Sequence, residues 1–140
     1  MRSLCILLVD DDKIEILKFK KVCQEANFKS NIIEAKDGET ALLLLDDCKT
    51  PFDLIISDLN MPRMDGFEFL STLKKNSKLQ NIPIVILSTS ERKIDLDRCY
   101  KFGISGYFTK PLKFSDYTNS VISLLEYWDK ASLSSRLNTT

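Results

Sequence analysis

At 140 residues, with 20 Lys plus Arg against 20 Asp plus Glu, the chain has the length of one domain and no net charge. No basic excess draws it toward nucleic acid or anionic lipid, so a DNA-reading module is not supported. Histidine is absent, which excludes imidazole-bound zinc, a Ser-His-Asp triad and a phosphohistidine on this chain.

The first apolar run, Leu4–Val9, is bounded by charge and predicts a buried strand. It is too short for a signal-peptide core or a membrane span. It runs straight into Asp10-Asp11-Asp12. Carboxylates about 4 Å apart repel by roughly 4 kcal/mol at an effective dielectric near 20. Such a cluster calls for a divalent cation or an ammonium beside it; an acidic loop bathed in water is the plain alternative.

Ile16, Phe19, Cys23 and Ala26 recur at helical spacing and predict a first helix, with Asp12 as a cap. A weak strand over Asn31–Glu34 follows, then a helix after Gly38 carrying Ala41, Leu42, Leu44 and Leu45. Leu54–Ser57 reads as the third strand and ends in Asp58. Gly66 closes the next loop and opens a helix with Phe67, Leu70 and Leu73. Met61 and Met64 are loop packing residues. Ile84–Leu87 is a strand leading into Ser88-Thr89-Ser90, and a less regular helix spans Ile94 to Lys101. Gly106–Thr109 is the last strand and runs into Lys110-Pro111. Val121, Leu124, Leu125 and Trp128 mark a fifth helix, with Ser115 as its expected N-cap. Residues 129–140 are polar and expected to fray, leaving 1–128 as the domain. Cys5, Cys23, Cys48 and Cys99 are widely spaced and read as core residues or free thiols, not a disulfide framework or zinc site.

Five alternations of strand and helix predict an α/β fold, a parallel sheet with helices on both faces. Right-handed crossovers leave few topologies, of which the order 2-1-3-4-5 is the simplest. Sites in such sheets lie at the carboxyl ends of the strands, here beside strands one and three. Asp10, Asp11, Asp58, Ser88 and Lys110 all fall at those ends. Unlike polar groups converging from four strands form a candidate site. Asp10 and Asp11 suit a hard cation such as Mg²⁺. Asp58, the acid on the central strand, is the candidate nucleophile, Lys110 the neutralising charge and Ser88 a hydrogen-bond donor.

With these residues in place the chain resembles the CheY-like receiver domain of two-component response regulators. The resemblance rests on Val9-Asp10-Asp11, on Asp53 through Gly66 (DLIISDLNMPRMDG), on Pro83 through Ser88 and on Gly106-Tyr107-Phe108-Thr109-Lys110-Pro111. The Asp58–Ser88 and Ser88–Lys110 separations of 30 and 22 also fit. It covers about residues 3–128 and implies a flavodoxin-like α/β/α sandwich of the same strand order. It implies that Asp58 accepts a phosphoryl group from a histidine kinase or histidine phosphotransfer protein, and that the chain is otherwise no enzyme. Mg²⁺ would be held by Asp10, Asp11, Asp58 and the Asn60 backbone carbonyl. Ser88 and Tyr107 would form a coupled switch, and the Lys110–Pro111 peptide would be cis. With no room for an effector domain, output is expected through protein contact at the helix-four, strand-five, helix-five face, with a homodimer as a further option. A cytoplasmic location fits this reading. Ile-Leu-Ser-Thr-Ser and Tyr-Trp resemble regulators that partner phytochrome-type kinases. Thr89 stands where the family usually has Ala or Gly, and is expected to slow loss of the phosphoryl group.

Two rival readings follow from other residues. Asp10-x-Asp12 after an apolar strand also resembles haloacid-dehalogenase-type phosphohydrolases, with Asp10 as nucleophile. Those enzymes need a later acid pair, and beyond Lys110 only Asp116, Glu126 and Asp129 are present. The second rival is a receiver-like binding module that is never phosphorylated; a missing acid, lysine or hydroxyl would mark it, and none is missing. A flavodoxin would need a Ser/Thr- or Gly-rich phosphate loop after strand one, which is absent.

Overall fold

In the computed structural model, which describes residues 3–47 and 51–136, five strands alternate with five helices. They are β1 (Leu4–Val9), α1 (Lys13–Glu25), β2 (Ser30–Ala35), α2 (Gly38–Asp46), β3 (Leu54–Ser57), α3 (Gly66–Lys75), β4 (Ile84–Ser88), α4 (Lys93–Phe102), β5 (Gly106–Thr109) and α5 (Phe114–Lys130). All pairings are parallel and the sheet order is β2-β1-β3-β4-β5. Alternate residues of each strand feed two cores, as the two-residue period of a strand requires. Leu4, Ile6, Leu8, Leu54, Ile56, Val85 and Leu87 pack against α1 and α5. Leu7, Val9, Ile55, Ile84 and Ile86 pack against α2, α3 and α4 on the other face. Strands covered on both faces read as unbroken apolar runs, which is why β1 and β3 carry no polar alternation. No helix of the described residues is long and apolar enough to cross a membrane.

Local chemistry sets where the helices start. Asp12, Asp37 and Asp65 are N-caps whose carboxylates accept from the amides of Ile14, Thr40 and Glu68. Ser115 does not cap α5: the cap falls two residues earlier, at Lys113, with no side-chain cap bond. Gly103 ends α4 in the left-handed region at φ 90°. Gly66 is required for a different reason. A Cβ there would lie 2.6 Å from Leu59 Cα and 2.8 Å from the Asp58 carbonyl oxygen, so only glycine lets α3 start against the loop that follows β3.

Residues 129–136 pack on the domain. α5 continues to Lys130, Leu133 is buried against the α1/α5 core, and Ser134–Arg136 form a 3₁₀ turn. Arg136 and Ser135 then bond to Asp53, whose side chain is 1% exposed at the start of β3. Packing therefore runs past the expected boundary at 128, because one apolar residue and a buried acid in need of donors fix the segment. Cys5, Cys23 and Cys99 are free thiols, two of them buried; Cys48 and residues 137–140 lie outside the described residues.

Candidate functional site

Sheet register brings the acids together. Val9 pairs with Ser57, and the Asp58 amide donates to the Val9 carbonyl at 3.0 Å, so Asp10 and Asp58 leave adjacent strands at one level. Ser88 pairs with Thr109, and the Lys110 amide donates to the Ser88 carbonyl at 2.7 Å, which delivers the lysine to the same edge. Ligand oxygens of Asp10, Asp11 and Asp58 all lie within 4.8 Å of one another. Hard oxygen donors at that spacing fit a divalent cation. Asn60 sits exposed two residues beyond Asp58.

Lys110 Nζ lies 3.2 Å from Asp10 Oδ2 and 3.6 Å from Asp58 Oδ2, with its side chain 7% exposed. Burial pushes the ammonium toward deprotonation, but Asp58, Asp10 and Glu15 outweigh it and hold its pKa above the ordinary lysine value. Asp10 is pushed up by burial; the Asp12 amide and Lys110 oppose this, and the neighbouring Asp58 adds to it. A buried carboxylate crowded by others gains most from a cation. Asp58 Oδ1 accepts from the Leu59 amide at 2.7 Å, which fixes the carboxylate's orientation.

The peptide before Pro111 is trans, since no described peptide bond is cis. This corrects the expected cis bond. Trans is the intrinsically favoured form, and Lys110 reaches the acids from it through its long side chain and its amide bond to Ser88.

Ser88 is fully buried, and its Oγ accepts from the Ser90 amide at 3.2 Å. Tyr107 is half-buried and its hydroxyl donates to the Ser90 carbonyl at 2.9 Å. Burial raises the Tyr107 pKa, so the phenol stays protonated as donor. The switch candidates thus meet through Ser90, a residue the sequence marked only as a neighbour. Ser90 Oγ also donates to Asp95 Oδ2 at 2.7 Å, tying the loop to α4. Thr89 is exposed beside it.

Glu15 was missed. Its Oε2 lies 3.6 Å from Lys110 Nζ, and an acid in the first turn of α1 carries no sequence signal for that contact. Asp116, Glu126 and Asp129 lie along α5, and none joins the acid cluster. A separate cavity of ≈ 310 Å³ opens at the opposite sheet edge among Phe52, Asp53, Ile82 and Pro83. It gathers no comparable set of acids and lysine.

Comparison with known proteins agrees with this geometry. Residues 6–122 match the response regulator receiver domain family. The chain is 31% identical over 129 residues to the response regulator Rcp1 of Synechocystis, covering 88% of this chain and 87% of that one. It is 33% identical over 127 residues to a probable methanogenesis regulatory protein, FilR2, of Methanothrix harundinacea, with 88% and 82% covered. Among solved structures it resembles the phosphorylated cyanobacterial phytochrome response regulator RcpA, at TM-score 0.88 and 29% identity, covering 95% and 99% of the two chains. The Mn²⁺-bound form of Rcp1 superposes at TM-score 0.86 and 29% identity, covering 93% and 98%.

Proposed function

The chain belongs to the response regulator receiver domain family, and from that premise we propose that Asp58 is its phosphoacceptor, charged by a histidine kinase or histidine phosphotransfer protein. The observation that carries this reading is Lys110 Nζ, buried between Asp58 and Asp10 at the end of the central strand. An Asp58 oxygen attacks the phosphorus of a phosphohistidine; the N–P bond breaks and the imidazole leaves with the electron pair and takes up a proton. Lys110 offers its charge to the transferred group, and the Leu59 amide keeps the nucleophile aimed. Asp10, Asp11, Asp58 and the Asn60 carbonyl would hold Mg²⁺, which would neutralise the phosphoryl oxygens when bound. Ser88 turning toward the new group would release the Ser90 amide, and Tyr107, bonded to the same residue, would follow. The protein is then a switch that catalyses only its own phosphorylation and its reversal.

Exposed apolar residues support protein partners. Ile14 and Leu17 on α1 and Leu112 and Phe114 after β5 lie near the site and suit a docking kinase. Tyr100 on α4 and Tyr127 on α5, both exposed, line a groove together with Tyr107, which suits a downstream target or a second copy. The likeness to the phytochrome response regulator RcpA supports a kinase of the phytochrome type.

Intact mass after incubation with acetyl phosphate and Mg²⁺ tests the reading in wild type and Asp58→Asn. A phosphoryl adduct on wild type alone, lost with EDTA, is expected. No adduct on a folded, Mg²⁺-binding wild type would favour the unphosphorylated module, and an adduct surviving Asp58→Asn would favour Asp10 and a phosphohydrolase.

A further inference from the structure

Three carboxylates surround the ammonium of Lys110, and only two of them belong to the acceptor site. Nζ lies 3.2 Å from Asp10 Oδ2, 3.6 Å from Asp58 Oδ2 and 3.6 Å from Glu15 Oε2. The third comes from the first turn of α1. Glu15 Oε2 is buried and accepts no hydrogen bond. Its sister oxygen makes only a long pair with Lys18, at 3.5 Å. A buried carboxylate oxygen without a donor is costly unless a cation faces it, and Lys110 is that cation.

The three acids have unequal fates. Asp58 is the group modified, and Asp10 is shared with the metal. Glu15 alone belongs neither to the acceptor nor to the set of acids that could hold the metal. An ammonium carries three protons, so when Lys110 turns to an oxygen of a group on Asp58 it does so against the constant pull of Glu15.

We propose that Glu15 is a positioning residue for Lys110, holding the ammonium toward α1 and setting how readily it transfers to the phosphoryl group. This rests on Asp58 being the acceptor. Glu15→Gln keeps the size of the side chain and removes one negative charge. The phosphoryl state should then become more favourable, because Lys110 is released, while a bound cation should become less so. Damage to the fold would move both in the same direction.

The experiment measures Mg²⁺ binding by calorimetry and uptake of beryllofluoride, a phosphoryl mimic, by ¹⁹F NMR at saturating Mg²⁺. It compares wild type, Glu15→Gln, Glu15→Ala, Glu15→Asp, Lys110→Ala and the Glu15→Gln/Lys110→Ala double variant. In Glu15→Gln the Mg²⁺ Kd is expected to rise about threefold and the beryllofluoride half-saturation to fall about threefold, the effect of one charge acting across the rim where Asp11 and Asn60 meet solvent. Glu15→Ala should repeat the split should the Gln variant fold poorly, and Glu15→Asp should return toward wild type. In the Lys110→Ala background the beryllofluoride gain should vanish. Unchanged values, joint weakening of both ligands, or a gain that persists without Lys110 would each overturn the proposal. Wild type that takes up no beryllofluoride would overturn the acceptor reading together with it, whereas normal uptake without the split would overturn the role of Glu15 alone.

Discussion

Replacing Asp11 with Asn should stabilise the metal-free protein and sharply reduce its response to Mg²⁺. Asp11 is exposed and makes no ion pair with Lys110, yet its carboxylate lies within 4.8 Å of those of Asp10 and Asp58. Two unit charges at that distance repel by roughly 3.5 kcal/mol at an effective dielectric of 20 and by about 0.9 kcal/mol in water. Asp11 faces solvent, so the lower figure governs. Two such pairs, further screened by salt, leave a net gain of about 1–2 kcal/mol on neutralisation. For a domain of this size that corresponds to a rise in Tm of about 3–7 °C. Wild type should gain about 1.4 kcal/mol from Mg²⁺ at ten times its Kd, and the variant far less. Thermal unfolding followed by circular dichroism, in EDTA and in Mg²⁺, reads both effects. A variant less stable than wild type in EDTA, or one raised as much by Mg²⁺, would refute the argument that cation binding is what this crowding is for.

Other consequences are more local. Asp53 is pushed up by burial, but Arg136, the Cys5 amide and Ser135 more than offset this and hold its carboxyl below the usual range. A carboxylate depressed on folding stabilises above its unfolded pKa near 4 and loses that contribution as pH falls through the folded value. Arg136→Ala, which removes bonds of 2.6 and 2.8 Å to Asp53, should therefore cost about 2 kcal/mol at pH 7. In urea melts that difference should shrink below about pH 4, and a pH-independent cost would count against the pairing. Gly66→Ala should destabilise by about 3 kcal/mol or more, because the added Cβ meets backbone at 2.6 Å; near-native urea melts would contradict that contact. Thr89→Ala, opening the exposed rim beside Ser88, should shorten the half-life of the phosphorylated form, measured by mass after removal of acetyl phosphate. An unchanged half-life would clear Thr89 of any part in it.

How much of this was legible beforehand differs by element. β1 and β3 begin and end where their apolar runs do, because a strand buried on both faces needs contiguous apolar residues; β5, a half-buried edge strand, was bounded by Gly106 and Lys110-Pro111 instead. β2, at the sheet edge with one residue in six fully buried, was only weakly marked for the same reason. The acids, Ser88 and Lys110 were legible as a group because parallel strands deliver their carboxyl ends to one edge. Glu15 was not, since an acid in a first helical turn is favoured there by the helix dipole whatever it touches.

The sequence by itself determined the order of elements, the two-sided burial of the sheet and the convergence of Asp10, Asp11, Asp58, Ser88 and Lys110, since these follow from local periodicity and the topology it permits. Only the tertiary structure decided that Lys110 is shared with Glu15, that Ser90 joins Ser88 to Tyr107, that the peptide before Pro111 is trans, and that the chain end returns to Asp53. Arg136 and Asp53 are 83 residues apart in sequence. A polar segment at a chain end has no periodicity to declare a partner, and whether it docks depends on a buried charge that exists only once the sheet has formed.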